Sequence, residues 1–457
     1  MPINSFLYPG AKVVPPFTVA NSVRLNQGDD PDMKKTIGAP TSARKFSVSC
    51  WVKLSNLGVQ RNLWGLGATS GATGLSVRFQ DDDTLDFFDY NGSGNNFGYS
   101  TNQFFRDPSA WSHFLFAVDT EQSTAHNRVR IYHNGTEIEK TNLTDNPGDP
   151  SQNADLTIAD GHTFKVGDDN AGANEWAGYI AEFVYIDGLQ LTPSSFGQFN
   201  DDSPTIWEPI DVTGLTFGNN GFYLDFEDSS NLGNDVNGGT DLTETNIAST
   251  DQSTDTCSNN YAVLNPLLLH DTAQFSEGNL KITQSSTDSD GIRATIGVRT
   301  GKWYWEVLNG GGNNSPGIAT GSAITTDYIG ADANGFSYFI NGQKYTGGSA
   351  SSYGASFTTG DIIGHALDMD NNQITFYKNG SSQGVAFTNL PDEFIFPAIS
   401  TSSVSSVTST SNFGQDGSFA GAKTAQGNSD ANGYGNFYYS VPSGYYAINS
   451  KNLAEFG

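Results

Sequence analysis

The sequence has little sulfur and little positive charge. Its 457 residues include two cysteines, three methionines and 22 lysines and arginines, against 49 aspartates and glutamates. Two cysteines cannot build a disulfide framework. Cys50 alternates with Phe46, Val48 and Val52 in KFSVSCWVK and reads as a small buried hydrophobe, while Cys257 sits in a polar stretch. A net charge of −27 argues against a nucleic-acid partner, because phosphate binding needs clustered Lys and Arg. It also argues against an anionic membrane surface. No run of apolar residues is long enough to cross a membrane as a helix. The start, MPINSFLYPGAKVVPPF, lacks the charged n-region and apolar core of a secretory signal. Heptads and long amphipathic helices are missing too, so coiled-coil association is not encoded.

Metal and triad signatures are equally scarce. None of the six histidines forms His-x-His or His-Glu-x-x-His, so zinc chemistry lacks its ligands. His365, inside IIGHALD, is expected as a core histidine, and His133, next to a turn, as an exposed one.

What is plentiful is turn chemistry and aromatic surface. There are 52 Gly, 30 Phe, 19 Tyr and 7 Trp. Asn-Gly dipeptides recur between segments that alternate apolar and polar residues, the pattern of half-buried strands joined by tight turns. RVRIYHNGTEIE (128–139) and QITFYKNGSSQG (373–384) are two copies of one such hairpin. Val129 and Ile131 share one face against Arg130 and Tyr132; Ile374 and Phe376 share one against Thr375 and Tyr377. Two hairpins of one design predict two β domains. The chain is therefore expected to be all-β, two tandem antiparallel β-sandwiches. The expected divisions are an apolar N-terminal arm (1–21), a first sandwich (22–228), an aromatic-poor linker (229–260) and a second sandwich (261–457). The aromatic tail GNFYYSVPSGYYAINSKNL should pack back on the second.

The second region resembles a SPRY domain, through GKWYWEV (301–307), GDIIGHALDMDNNQITFYKNG (360–380), FPAIS (396–400) and SNFGQ (411–415). That resemblance implies a bent β-sandwich that binds partners through its loops. The first region is similar to laminin-G-like, concanavalin A-like jelly rolls, through KFSVSCWVKL, AWSHFLFAVD, NRVRIYHNGTEI and GYIAEFVYIDGLQLTPSSFGQF in that order. The join, NGFYLDFEDSSNLGND followed by NYAVLNPL, resembles that of virion proteins of tailed phages from marine bacteria. This implies a structural protein on the particle surface, a capsid decoration or tail appendage present in many copies. Its expected partners are other virion proteins and host-surface glycans or proteins. Two other readings are a secreted lectin-like adhesin and a glycoside hydrolase. Glucanases of this fold carry Glu-x-Asp-x-Glu on one strand, which sets acid and nucleophile on one face. The nearest approach here is Asp225 and Glu227 in YLDFED, a pair with no third carboxylate, so a non-enzymatic role is expected.

Two sets of residues are candidate sites. Phe336, Tyr338, Tyr345 and Tyr353, in GFSYFINGQKYTGGSASSYG, would form an aromatic platform for sugar or protein. No cofactor is required, but calcium is a candidate. It seeks several oxygens on loops, and Asp81, Asp82 and Asp83, with Asp168, Asp169 and Asn170, would supply them.

Overall fold

Asn134 and Gly135 hold φ angles of 47° and 76°, and Asn379 and Gly380 hold 49° and 76°. Positive φ at both central residues is the type I′ geometry that a two-residue hairpin needs. The strands on either side pair accordingly, His133 with Thr136 and Lys378 with Ser381. The computed structural model describes residues 17–68, 73–169, 172–268, 273–285, 289–401 and 407–457. Among them lie many antiparallel strands and one short α-helix, Ser450–Phe456.

The first sandwich packs two eight-stranded sheets face to face. One is centred on Lys45–Leu54, flanked by Ser112–Asp119 and Gly178–Asp187. The other runs in the order Leu143–Gly148, Asn95–Thr101, Leu85–Tyr90, Gly74–Phe79, Arg61–Gly67, Thr163–Val166, Asp32–Thr36 and Thr243–Thr245. Alternate residues of both sheets turn inward. Trp64 sits at the centre of the core with Phe46, Phe87, Phe116 and Phe164 around it, ring centroids 5.6 to 6.3 Å away. Each such ring, fully buried, contributes about 1.5–3 kcal/mol. Cys50 lies in this core, wholly buried, and both cysteines are free thiols.

The second sandwich has an eight-stranded sheet, with Lys302–Gly311 between Ile362–Asp368 and Val407–Asn412, against a six-stranded sheet. The tail does pack back: Tyr446–Ala447 pairs in parallel with Lys302–Gly311, and Tyr446 stacks on Phe456 at 3.9 Å. His365 is buried, stacked on Trp305 at 4.7 Å, and burial pushes its pKa down to about 3, so it is neutral. His133 differs from expectation. It stacks on Phe114 at 5.0 Å and burial lowers its pKa to about 4, because alternation puts it on the inward face with Val129 and Ile131, directly across from Phe114.

The stretch read as a linker lies against the first sandwich. Thr243–Thr245 extends one sheet beside Asp32–Thr36, and Gln252–Ser253 extends the other beside Ser22–Leu25. The sandwiches are joined by buried polar contacts. Arg24, 1% exposed, pairs with Asp416 at 2.8 Å and Glu277 at 3.6 Å. Tyr179 donates to the carbonyl of Gly278 at 3.1 Å, and Asn279 to that of Ser55 at 3.1 Å. Of the apolar arm, residues 1–16 lie outside the described residues. Phe17 packs against the cluster of Val19, Trp51, Trp111 and Tyr179.

Candidate functional site

The four aromatic residues expected to form a platform are separated by burial. Tyr338 is wholly buried, its ring against Phe357 at 5.1 Å and Phe376 at 5.4 Å and its hydroxyl bonded to the carbonyl of Ala355, so it is a core residue. Ser337, on the opposite face of the same strand, is wholly buried too, so both faces are covered and alternation alone could not place Tyr338. Phe336 is half-buried on Phe387 at 5.3 Å. Tyr353 donates to the carbonyl of Gly384 at 2.5 Å and accepts from the Phe376 amide at 3.2 Å, ties that bind its loop to two strands. Burial pushes its pKa up to about 12. Tyr345 alone of the four keeps to the outer side, half-buried beside Tyr328 at 5.8 Å and Phe339 at 5.5 Å.

The aspartates are likewise dispersed. Asp82 accepts from the amide and hydroxyl of Thr84 at 2.9 and 2.6 Å, bonds that hold its pKa below the usual range and close a turn. Asp83 is buried between Arg61 at 3.2 Å and Arg106 at 3.0 Å, and Asp168 pairs with Lys165 at 2.6 Å. Asp81 is exposed, Asp169 is buried, and Asn170 lies outside the described residues. Cations thus already neutralise Asp83 and Asp168. Among the described residues no group of three or more His, Cys, Asp or Glu side chains could hold a metal ion.

A different site is formed on the outer face of the second sheet of the first sandwich. In Leu85–Tyr90 the core takes Leu85 and Phe87, which leaves Asp86, Phe88 and Tyr90 facing outward. Register supplies their neighbours. Phe88 lies between Gly98 and Ser76, and Tyr90 beside Gly74, whose own partner is Gly67. Two half-buried rings therefore rise from a floor with almost no side chains. The cavity beside them is about 300 Å³, within the usual size of small-ligand sites, and also meets Asn95, Asn146 and Asp169. The Arg78 guanidinium stacks on Phe88 at 4.8 Å and pairs with Asp86 at 3.2 Å, and Asp86 accepts from Ser100 at 2.6 Å. The buried hydroxyl of Ser76 has no hydrogen-bond partner. Beneath the strand, Asp89 is buried and its pKa is raised by that burial; it accepts from Asn96 at 2.8 Å and from the Thr157 amide at 3.0 Å. The arrangement offers aromatic faces, amides and one paired cation, which is equipment for binding.

Alternation in TLDFFDY marks a strand, and neither candidate set drawn from the sequence includes this site. The available signal was the second aromatic set in it, Phe88 and Tyr90, on the face opposite Phe87.

Family comparison agrees with both architectures. Residues 29–193 match the concanavalin A-like lectin/glucanases superfamily, and residues 302–416 match the SPRY domain. The chain carries a concanavalin A-like domain followed by a SPRY domain. Similar proteins include E3 ubiquitin-protein ligase RKP of Arabidopsis thaliana, 34% identical over 30% of this chain and 10% of its own length. Ran-binding protein 9 of Xenopus tropicalis is 31% identical over 31% of this chain and 28% of its own. ATP-dependent RNA helicase Ddx1 of Drosophila melanogaster is 37% identical over 24% and 15%. The chain thus spans less than a third of the length of each of these relatives. Among solved structures, the SPRY domain of human HERC1 is 21% identical, with a TM-score of 0.27, covering 29% of this chain and 87% of that one. Concanavalin A-like and SPRY domains are usually binding modules.

Proposed function

We propose that this protein is a non-enzymatic adhesion component displayed on the surface of a tailed-phage particle, and that its concanavalin A-like domain holds carbohydrate in the groove beside Phe88 and Tyr90. The carbohydrate reading rests on one observation: two outward rings, two positions apart on one strand, rise above a glycine and serine floor and sit among amides and carboxylates. A pyranose ring has an apolar side that an aromatic face can cover and hydroxyls that amides and carboxylates can bond. The virion setting is supported by the order of the two domains and the residues of their join. The SPRY domain then serves as the attachment to neighbouring virion proteins.

The test is retention of the purified full chain on polysaccharide from host envelopes, compared with Phe88→Ala and Tyr90→Ala. Both rings are half-buried, so removing one should leave melting close to wild type while retention falls at least tenfold. A wild-type chain retained on no envelope polysaccharide would sink the carbohydrate reading. Gold-labelled antibody on particles tests the setting separately, and unlabelled particles would end it.

A further inference from the structure

The groove beside Phe88 and Tyr90 does not end at Asp86. Asp86 and Ser100, paired in register on neighbouring strands, line the groove and also a second cavity of about 530 Å³. Along one strand and the turn before it Tyr90, Phe88, Asp86 and Thr84 fall two positions apart, so all four meet the same face. From first to last they span about 20 Å, at about 3.3 Å per residue. Phe104, 54% exposed, and exposed Asn102 line the second cavity and not the first.

The second cavity repeats the equipment of the first. In the first, the Arg78 guanidinium stacks on Phe88 and is held by Asp86; in the second, the Arg106 guanidinium stacks on Phe104 at 4.6 Å and is held by Asp83 at 3.0 Å. A ring pinned in this way is already ordered before a ligand covers its open part. Asn102 accepts from the Thr144 hydroxyl at 2.9 Å, which fixes the amide and leaves its N–H groups unused among the described residues. The cavity is lined by Asp81, Asp82 and Asp86 and by no lysine or arginine, so a sulfate or carboxylate group would meet like charge there.

We infer that Phe104 and Asn102 form a second sugar-binding place, and that the two places together hold an uncharged polysaccharide chain lying along Leu85–Tyr90. This rests on the carbohydrate reading of the groove. One sugar needs one ring and one set of amides, whereas two matching sets in line suit a ligand whose units repeat.

The probe is the host-envelope polysaccharide, cut by partial hydrolysis into fragments of increasing length, labelled at the reducing end and titrated with the full chain. Affinity should rise at least about tenfold between the shortest fragments and those that reach Phe104. Phe104→Ala and Asn102→Ala should abolish that gain and leave the shortest fragments bound as by wild type, with little change in melting, both residues being exposed. Phe88→Ala should weaken fragments of every length. If one variant misfolds, the other carries the test. The same fragments after sulfation should bind more weakly, with the loss shrinking at high salt, where repulsion is screened. Affinity that is equal at every length, long fragments held alike by wild type and variants, or sulfated fragments held as tightly as their parents overturns the inference and leaves the groove reading standing. Fragments and intact polysaccharide all unbound would end the groove reading, and this inference with it.

Discussion

The Nζ of Lys53 lies 2.7 Å from Oδ2 of Asp255, and both side chains are wholly buried. Lys53 also donates to Asn260 at 2.8 Å and to the carbonyl of Tyr261 at 2.7 Å, so its three protons have three acceptors. The other Asp255 oxygen accepts from Trp111 at 2.9 Å and from the amide of Tyr261 at 3.2 Å. Burial pulls the lysine pKa down, and the attraction of Asp255 opposes it. A strand of the concanavalin A-like domain is thereby bound to the segment that leads into the SPRY domain.

Asp255→Ala would leave a buried ammonium without its counter-charge, a loss of about 3–5 kcal/mol. Urea unfolding of the full chain measures it. The same contact predicts that a fragment of residues 1–228 is much less stable than one of 1–260, which keeps Asp255 and Asn260. Equal midpoints for the two fragments would show that the segment adds nothing.

Gly380→Ala should destabilise more than Gly384→Ala. Both glycines have positive φ, 76° and 83°, so both substitutions are strained. A Cβ on Gly380 would also lie 2.8 Å from the Tyr439 ring, whereas one on Gly384 meets nothing within 4 Å. A difference of about 1–3 kcal/mol is expected from overpacking, read as separate melting curves. Coincident curves would mean that Tyr439 moves aside freely.

Tyr338→Ala and Tyr345→Ala separate core from surface on adjoining strands. Tyr338 is wholly buried and its loss should cost about 3–5 kcal/mol, while half-buried Tyr345 should cost about 1 kcal/mol or less. Denaturant midpoints decide, and a reversed order would show that the two have been assigned to the wrong sides.

Glu182 gives the fold a pH dependence of predictable sign. It is buried at a β-bulge with φ of 50°, it accepts from the Tyr223 hydroxyl at 2.6 Å, and burial raises its pKa to about 8. Between about 4.5, its ordinary value, and about 8 the folded chain binds more protons at this site than the unfolded one. Stability therefore falls as pH rises through that window, by on the order of a few kcal/mol, and levels above it. Glu306, raised to about 7 by burial, adds a slope of the same sign. Glu182→Gln should flatten the pH profile and raise melting at pH 8 and above. An unchanged profile would show that Glu182 ionises as freely folded as unfolded.

Local chemistry was enough to announce the strands, the two Asn-Gly hairpins and the two sandwiches. Alternation and turn geometry are properties of a few consecutive residues, so KFSVSCWVKL and QITFYKNG could be read without knowing what they touch. Asp86, Phe88 and Tyr90 also share a face by alternation alone. That the face is a groove depended on Ser76, Gly74 and Gly98 arriving beside it, and strand register is set by pairing between distant segments, not by either segment's sequence. Asp255 looked like part of a solvated linker because its neighbours are polar. Only the fold brings Lys53 to it, and a carboxylate that meets a buried ammonium and an indole N–H is held in the interior whatever its local composition suggests.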